Sequence, residues 1–327
     1  MPRQARLDTP GTLHHVIVRG IEKRRIVDDR RDREDFVARL GTVAADTATV
    51  IYAWALMKNH AHLLLRSSEF GLSGFMRRLL TGYAITYNNR HRRHGHLFQN
   101  RYKSIVCEEE AYFLELVRYI HLNPLRARQV KAPADLDNYQ WSGHVVLLGR
   151  HANDWQDRDY VLSMFGKTKK AAQAAYQKFV LDGVRQGRRP ELVGGGLIRS
   201  MGGWSEVKAL RRMGGTEPAD ERILGGGAFV ERMMKEAETN LRKQLAPRQP
   251  GQRPAQVIKS ICAEVGVKAQ ELRAGSRRHL VAVARLRIAQ RLVEELGLSL
   301  AETARQLGVS TSAISKALSR AAGKKVK

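Results

Sequence analysis

The chain has 327 residues, with 57 Lys and Arg against 32 Asp and Glu and a formal charge of +25, a balance that calls for a polyanionic partner and makes nucleic acid the first expectation. No run approaches the ~18 apolar residues of a spanning helix, and the N-terminus lacks a signal peptide's apolar core, so a cytoplasmic, nucleoid-associated protein with no membrane partner is expected. Only Cys107 and Cys262 are present, which excludes a disulfide framework and a cysteine-based zinc site.

In chain order, "LHHVIVRG" is strand-like and closes on Gly20. A basic turn, "EKRRIVDDRRDRE", follows, and Phe36, Leu40 and Val43 then recur at helical spacing. "ATVIYAWALMKN" and "HAHLLLRS" are predicted as two antiparallel strands joined at Lys58 and Asn59. "LSGFMRRLLTGYAITYNNR" has helical periodicity with a basic outer face, and "RYKSIVCE" is a further short strand. "EEAYFLELVRYIHLNP" opens with acids that suit a helix N-terminus and is expected to halt before Pro124, which disfavours the helical conformation of the preceding residue. The order β-α-β-β-α-β-α predicts an α+β fold whose first six elements form a ferredoxin-like antiparallel sheet.

Residues 131–250 are predicted as a mostly helical, glycine-rich connecting region, with "LVGGGLIRSMGGW", "MGGTEP" and "ILGGGAF" as breaks and "APRQPGQRPA" as the clearest linker. Residues 251–327 are expected to be all helical.

Residues two apart in a strand point the same way, so His60 and His62 emerge side by side, as a metal-binding pair would, whereas Ala61 and Leu63 face the other surface. A lone His-x-His is a weak motif, and a second one, His94 and His96, sits in an Arg- and Gly-rich stretch suited to a solvated or DNA-facing role. Glu115, Tyr119 and Asn123 recur every four residues and share a helix face. A phenolate can attack a phosphodiester and retain one product covalently when a metal neutralises the phosphate. Asn123 would add an oxygen ligand to the two imidazoles, a mixed set compatible with Mg²⁺ or Mn²⁺.

Three motifs in the right order, "HAHLLL", "GHLFQNRYKS" and "VRYIHLNPLRA", together with the opening "MPRQARLDTPGTLHHVIVRG", resemble the REP-associated tyrosine transposases of the single-tyrosine HUH superfamily. The resemblance covers residues 1–130 closely and extends weakly to about 185. It implies an HUH catalytic domain that cuts single-stranded DNA beside imperfect hairpins through a 5′-phosphotyrosine and later rejoins the strand. It carries the metal-binding histidines onto His60 and His62, the nucleophile onto Tyr119 and the helix-borne polar ligand onto Asn123. Tyr83, Tyr87 and Tyr112 lack the motif position and are expected to pack or stack. The resemblance is compatible with a monomer and leaves a dimer open.

Basic stretches surround this sheet, and Arg90, Arg92, Arg93 and Arg101 are expected phosphate contacts. Near the end, "LSLAETARQLGVSTSAISKALSRA" has the pattern of a helix-turn-helix: Ala304 small at the crossing, Gly308 in the turn, Val309 and Ile314 as plugs, Ser310 as cap. Its second helix would offer Thr311, Ser312, Ser315, Lys316 and Arg320 to duplex DNA. Residues 255–322 also resemble the DNA-binding domain of the replication initiator DnaA, with "RHLVAVARLRIA" matching its basic run, although "STSAIS" replaces that family's recognition signature.

Two other functions stay open at this stage: a DNA-binding regulator that leaves the HUH fold unused, and a metal-dependent nuclease with no covalent intermediate.

Overall fold

In the computed structural model the described residues are 7–99, 102–187, 189–193, 219–245, 254–274, 276, 278–295, 298 and 300–324. Most of the glycine-rich stretches, the stretch 246–253 of the linker and Arg101 lie outside them. The chain separates into two units, Met1–Asn240 and Leu241–Lys327.

The first unit is built on strands β1 (Leu13–Arg19), β2 (Val50–Leu56), β3 (His60–Arg66) and β4 (Lys103–Cys107), with helices α1 (Arg30–Asp46), α2 (Leu72–Arg90) and α3 (Glu109–Arg126) between and after them. The sheet order is β2-β3-β1-β4-β5, and the first four strands are antiparallel neighbours in the split βαβ arrangement. The fully antiparallel expectation is corrected at one edge: β5, only Ile223–Leu224, pairs parallel to β4. Two buried residues are too short for any periodicity, and they extend the sheet with backbone hydrogen bonds that the edge of β4 would otherwise leave to solvent.

Alternation along the strands sorts the core into two layers. Val16, Trp54, Ala61, Leu63 and Leu65 face α1 and α2, where Phe36, Leu40, Phe75, Leu79 and Tyr83 meet them. Leu13, Ile17, Ala55 and Leu64 face α3 through Phe113, Leu116 and Ile120. An aspartate capping box starts α1, where Asp29 accepts from the backbone N–H of Asp32 and Asp32 reciprocates.

Helix α3 does not halt before Pro124; it runs on to Arg126 with the proline inside it. Proline removes one helical donor near the end, but Leu122, Asn123 and Pro124 are all buried, and that packing outweighs one missing bond.

Helices α4 (Pro133–Leu136), α5 (His144–Leu147), α6 (Arg158–Ser163) and α7 (Lys169–Asp182) complete the α3 side of the sheet. Their loops also occupy the outer edge of β2. The amides of Gly143 and Asp157 bond the carbonyls of Trp54 and Ile51, both at 2.8 Å, and the amide of Leu56 bonds the Trp141 carbonyl at 2.8 Å. A polar network anchors α7 beneath α3: Tyr176 Oη lies 2.8 Å from His121 Nδ1 and 2.6 Å from His144 Nδ1, and His144 Nε2 lies 3.0 Å from Asp137. Helix α8 (Gly227–Leu245) follows β5, with Phe229 and Val230 buried against Val106 and Leu7.

The second unit contains α9 (Pro254–Val265), α10 (Ala269–Arg273), α11 (His279–Gln290), a π-helical turn over Arg291–Glu295, α12 (Leu300–Leu307) and α13 (Thr311–Lys324). Val257, Ile261, Leu272, Ala284, Ile288, Ala304, Leu307 and Ile314 form its core. Gly308 makes the α12–α13 turn at φ +65°, and a Cβ there would lie 2.3 Å from the Arg273 carbonyl oxygen, so only glycine fits. Ser310 Oγ accepts from the Ala313 amide at 3.2 Å and caps α13. Arg285, within the run that resembles the initiator, donates to the carbonyls of Leu272 and Ser276 at 3.0 and 3.2 Å. No described helix is long and apolar enough to cross a membrane.

Candidate active site

An ion pair at one end sets α3 over β3. Arg66, the last residue of β3, donates to both carboxylate oxygens of Glu109, at the first turn of α3, at 2.6 and 2.7 Å. From there the elements run back together: four strand residues from Arg66 to His62 span about 13 Å, and ten helical residues from Glu109 to Tyr119 span about 15 Å. Tyr119 therefore arrives above His62, and the two ring centroids are 5.8 Å apart at a T-shaped angle of 75°.

The histidines share one face of the sheet, with ring centroids 5.3 Å apart. Their hydrogen bonds fix which nitrogen carries the proton. His60 Nδ1 lies 2.7 Å from Asn59 Oδ1, and the Asn59 amide nitrogen donates to the Lys23 carbonyl, so the oxygen is the acceptor and His60 Nδ1–H the donor. His62 Nδ1 lies 2.9 Å from His15 Nε2. His15 Nδ1 in turn lies 2.9 Å from the Leu192 carbonyl oxygen, an atom that can only accept. His15 Nδ1–H is thus a donor, its Nε2 an acceptor, and His62 Nδ1–H the donor to it. Both sequence-named histidines keep the lone pair on Nε2, the state a metal ligand needs.

Burial reinforces that state. It pushes the pKa of His60 down to about 4, with Arg19 adding to the shift. His62 is held well below the ordinary histidine value by burial first, then by His15, His60 and Arg19. Both imidazoles are neutral near pH 7. Asn123, one turn beyond Tyr119, is 7% exposed; its amide nitrogen donates to the Tyr119 carbonyl at 2.9 Å, which assigns Oδ1 as the atom left to accept or ligate. Two imidazole lone pairs and a carboxamide oxygen are donors of the chemistry a divalent metal ion accepts. Arg126 places its guanidinium 5.3 Å from the Tyr119 ring.

Glu115, on the same face of α3, is bound by Arg118 at 2.5 Å and Arg189 at 3.1 Å. The other tyrosines are held in structural bonds or packing. Tyr83 Oη donates to the Ile26 carbonyl at 2.6 Å and Tyr87 Oη to Asp28 at 2.5 Å, and burial pushes Tyr87 up to about 12. Tyr112 packs on the α3-side core.

A second cluster of potential ligand atoms, Asp28, Asp32 and His91, lies within 4.8 Å. Its carboxylates are already taken: Asp32 accepts from Arg90 and His91, Asp28 accepts from Tyr87 and pairs with Arg25, and Arg90 also grips Asp29. The cluster is an ion-paired clasp between the start of α1 and the end of α2. Arg90 is thereby engaged within the fold. Arg92 is exposed, and Arg93 lies 5.7 Å from the Tyr87 ring. On α13, Thr311, Ser312, Ser315 and Lys316 are exposed; the side chain of Arg320 is outside the described residues.

His15 was not marked as a site residue by the sequence. Period-two alternation in "LHHVIVRG" puts it on the face of Leu13 and Ile17, and the register then brings it diagonal to His62, because Ile17 pairs with His62 and His15 with Leu64.

The fold and site are those of a ferredoxin-like sheet carrying a neutral histidine pair under a helix-borne tyrosine. Residues 10–123 match the family described as "Transposase IS200 like", a segment that holds His15, His60, His62 and Tyr119 and ends on Asn123. Among solved structures, "Structure of the REP associates tyrosine transposase bound to a REP hairpin" is 17% identical, covering 48% of this chain and 94% of that chain, with a TM-score of 0.37. No curated protein matches the chain.

Proposed function

We propose that the chain is a metal-dependent tyrosine transposase that nicks and rejoins hairpin-associated single-stranded DNA. The observation that carries this reading is the meeting of Tyr119 with His62, ring centroids 5.8 Å apart within one chain, beside histidines whose tautomers leave Nε2 unprotonated. The family match over residues 10–123 supports it. In this reading residues 1–130 are the HUH catalytic domain, residues 131–250 connect it, and residues 251–327 are a DnaA-type helix-turn-helix that holds duplex DNA through Thr311, Ser312, Ser315, Lys316 and Arg320.

His60, His62 and Asn123 would hold the ion, which when bound would neutralise the scissile phosphate and polarise its oxygen. Tyr119 Oη attacks phosphorus, the bond to the 3′-oxygen breaks, and the phenolic proton is lost as the 3′-hydroxyl is released. The product is a 5′-phosphotyrosine ester. A later 3′-hydroxyl attacks that phosphorus, expels Tyr119 and restores a phosphodiester, so bond energy is conserved through the ester. Arg126 beside Tyr119 and Arg19, paired with His60 across β1 and β3, supply positive charge around the phosphate.

The test is incubation with Mn²⁺ and labelled single-stranded hairpin DNA flanking the gene. A denaturation-resistant protein–DNA adduct, lost in Tyr119→Phe, supports the reading. Cleavage that survives Tyr119→Phe but not His60→Ala would replace it with a hydrolytic nuclease, and specific binding without cleavage would replace it with a regulator.

A further inference from the structure

We infer that His15 is a positioning residue for the metal site: it holds His62 in the one tautomer that can ligate, and it ties that tautomer to a carbonyl supplied from beyond the family-matched segment. This role deepens the proposed function and rests on His62 being a ligand.

The chain of bonds has only one consistent direction. Leu192 O accepts from His15 Nδ1, at 2.9 Å, so the opposite nitrogen of a neutral His15 must accept, and it does so from His62 Nδ1 at 2.9 Å. Neutrality follows from place, since His15 is 0% exposed and charging it would strand a cation in the core. The rings lie edge to edge, with centroids 5.2 Å apart and planes 26° apart, the near-coplanar arrangement in which an N–H···N bond between them is well aligned. His15 meets Tyr119 edge-on at 5.8 Å, so it braces the ligand and the tyrosine together. A backbone carbonyl or acceptor behind a ligating imidazole raises its basicity and fixes its orientation, and loss of such a partner costs roughly 10- to 100-fold in metal affinity.

The 3₁₀ turn Pro190–Val193 thereby has a function. Arg189 beside it pairs with Glu115 of α3 at 3.1 Å, and Leu192 is itself buried. The site is completed by residues about 70 positions beyond the end of the family match at 123.

The experiment uses the full chain and Mn²⁺ alone, with free Mn²⁺ read by electron paramagnetic resonance. His15→Phe is expected to raise the Mn²⁺ dissociation constant about 10- to 100-fold, with adduct formation recovered at saturating Mn²⁺. His15→Gln, whose amide oxygen can still accept from His62, is expected to stay within a few-fold of the parent. An unchanged dissociation constant in folded His15→Phe, alongside its loss in His62→Ala, would overturn the positioning role and leave the metal site standing. Equal Mn²⁺ binding by the parent and His62→Ala would overturn both. If His15→Phe does not fold, ¹⁵N-histidine spectra of the parent decide: a proton on His62 Nδ1 supports the role, and a proton on Nε2 overturns it.

Discussion

Tyr119 of α3 stands over His62 of β3 with ring centroids 5.8 Å apart, although 57 residues of chain separate them. The same chain supplies both, so the proposed nucleophile and a proposed metal ligand meet within one chain.

Removing a proposed histidine ligand should abolish metal-dependent chemistry, and at His60 it should do so without unfolding the protein. His60 is half-buried at the start of β3, so His60→Ala is the milder test. Cleavage in Mn²⁺ should fall at least about 100-fold, with a thermal midpoint close to the parent's. Undiminished cleavage would place the metal elsewhere.

Acid should destabilise the metal-free protein in a defined window. Burial lowers His14 from its ordinary 6.5 to about 4, against a small opposing pull from Asp8; His121 is held well below 6.5 by burial and then His144. Because the unfolded chain takes up these protons more readily, their contribution is full above pH 6.5 and declines as pH falls, that of His14 being gone below about 4. His14 alone should cost about 2 kcal/mol by pH 5. Asp29, held down to about 2 chiefly by its bond from Arg90, titrates below that window. Urea unfolding with chelator at pH 7.5 and 5.0 measures the effect, and equal stabilities would contradict it.

Tyr176 should matter more to stability than to chemistry. Its hydroxyl donates to His144 Nδ1 and accepts from His121 Nδ1–H, so Tyr176→Phe leaves a buried acceptor and a buried donor unpaired. A loss of about 2–4 kcal/mol in urea unfolding is expected. A loss below about 0.5 kcal/mol would mean that water or rearrangement fills the gap.

The arginines should divide. Arg92→Ala and Arg93→Ala should weaken single-strand binding and lower the slope of log affinity against log salt by about 1 each. Arg90→Ala should instead lower the thermal midpoint, because it opens the clasp on Asp29 and buried Asp32. The reverse pattern in salt titrations and melts would contradict this division.

What the sequence made legible was local and periodic. Period-two alternation put His60 and His62 on one face, and four-residue spacing put Tyr119 and Asn123 on another element's face. What escaped it was long-range or carried no period. The His15 acceptor is 47 residues from His62, and the Leu192 carbonyl is 177 residues from His15; no local pattern announces either. A two-residue strand leaves no alternation to find. Pro124 follows a local rule that tertiary packing overrode, and Arg90 looked like open charge because its acids sit about 60 residues away.

The most direct measurement is the chemical identity of the residue that carries DNA. Adduct formed with Mn²⁺ and hairpin-flanked single strands would be digested with protease and nuclease and the nucleotide-bearing peptide sequenced by mass spectrometry. The account predicts a 5′-phosphate ester on Tyr119. Attachment at Tyr112 or any other residue, or full cleavage with no attached nucleotide, would contradict it.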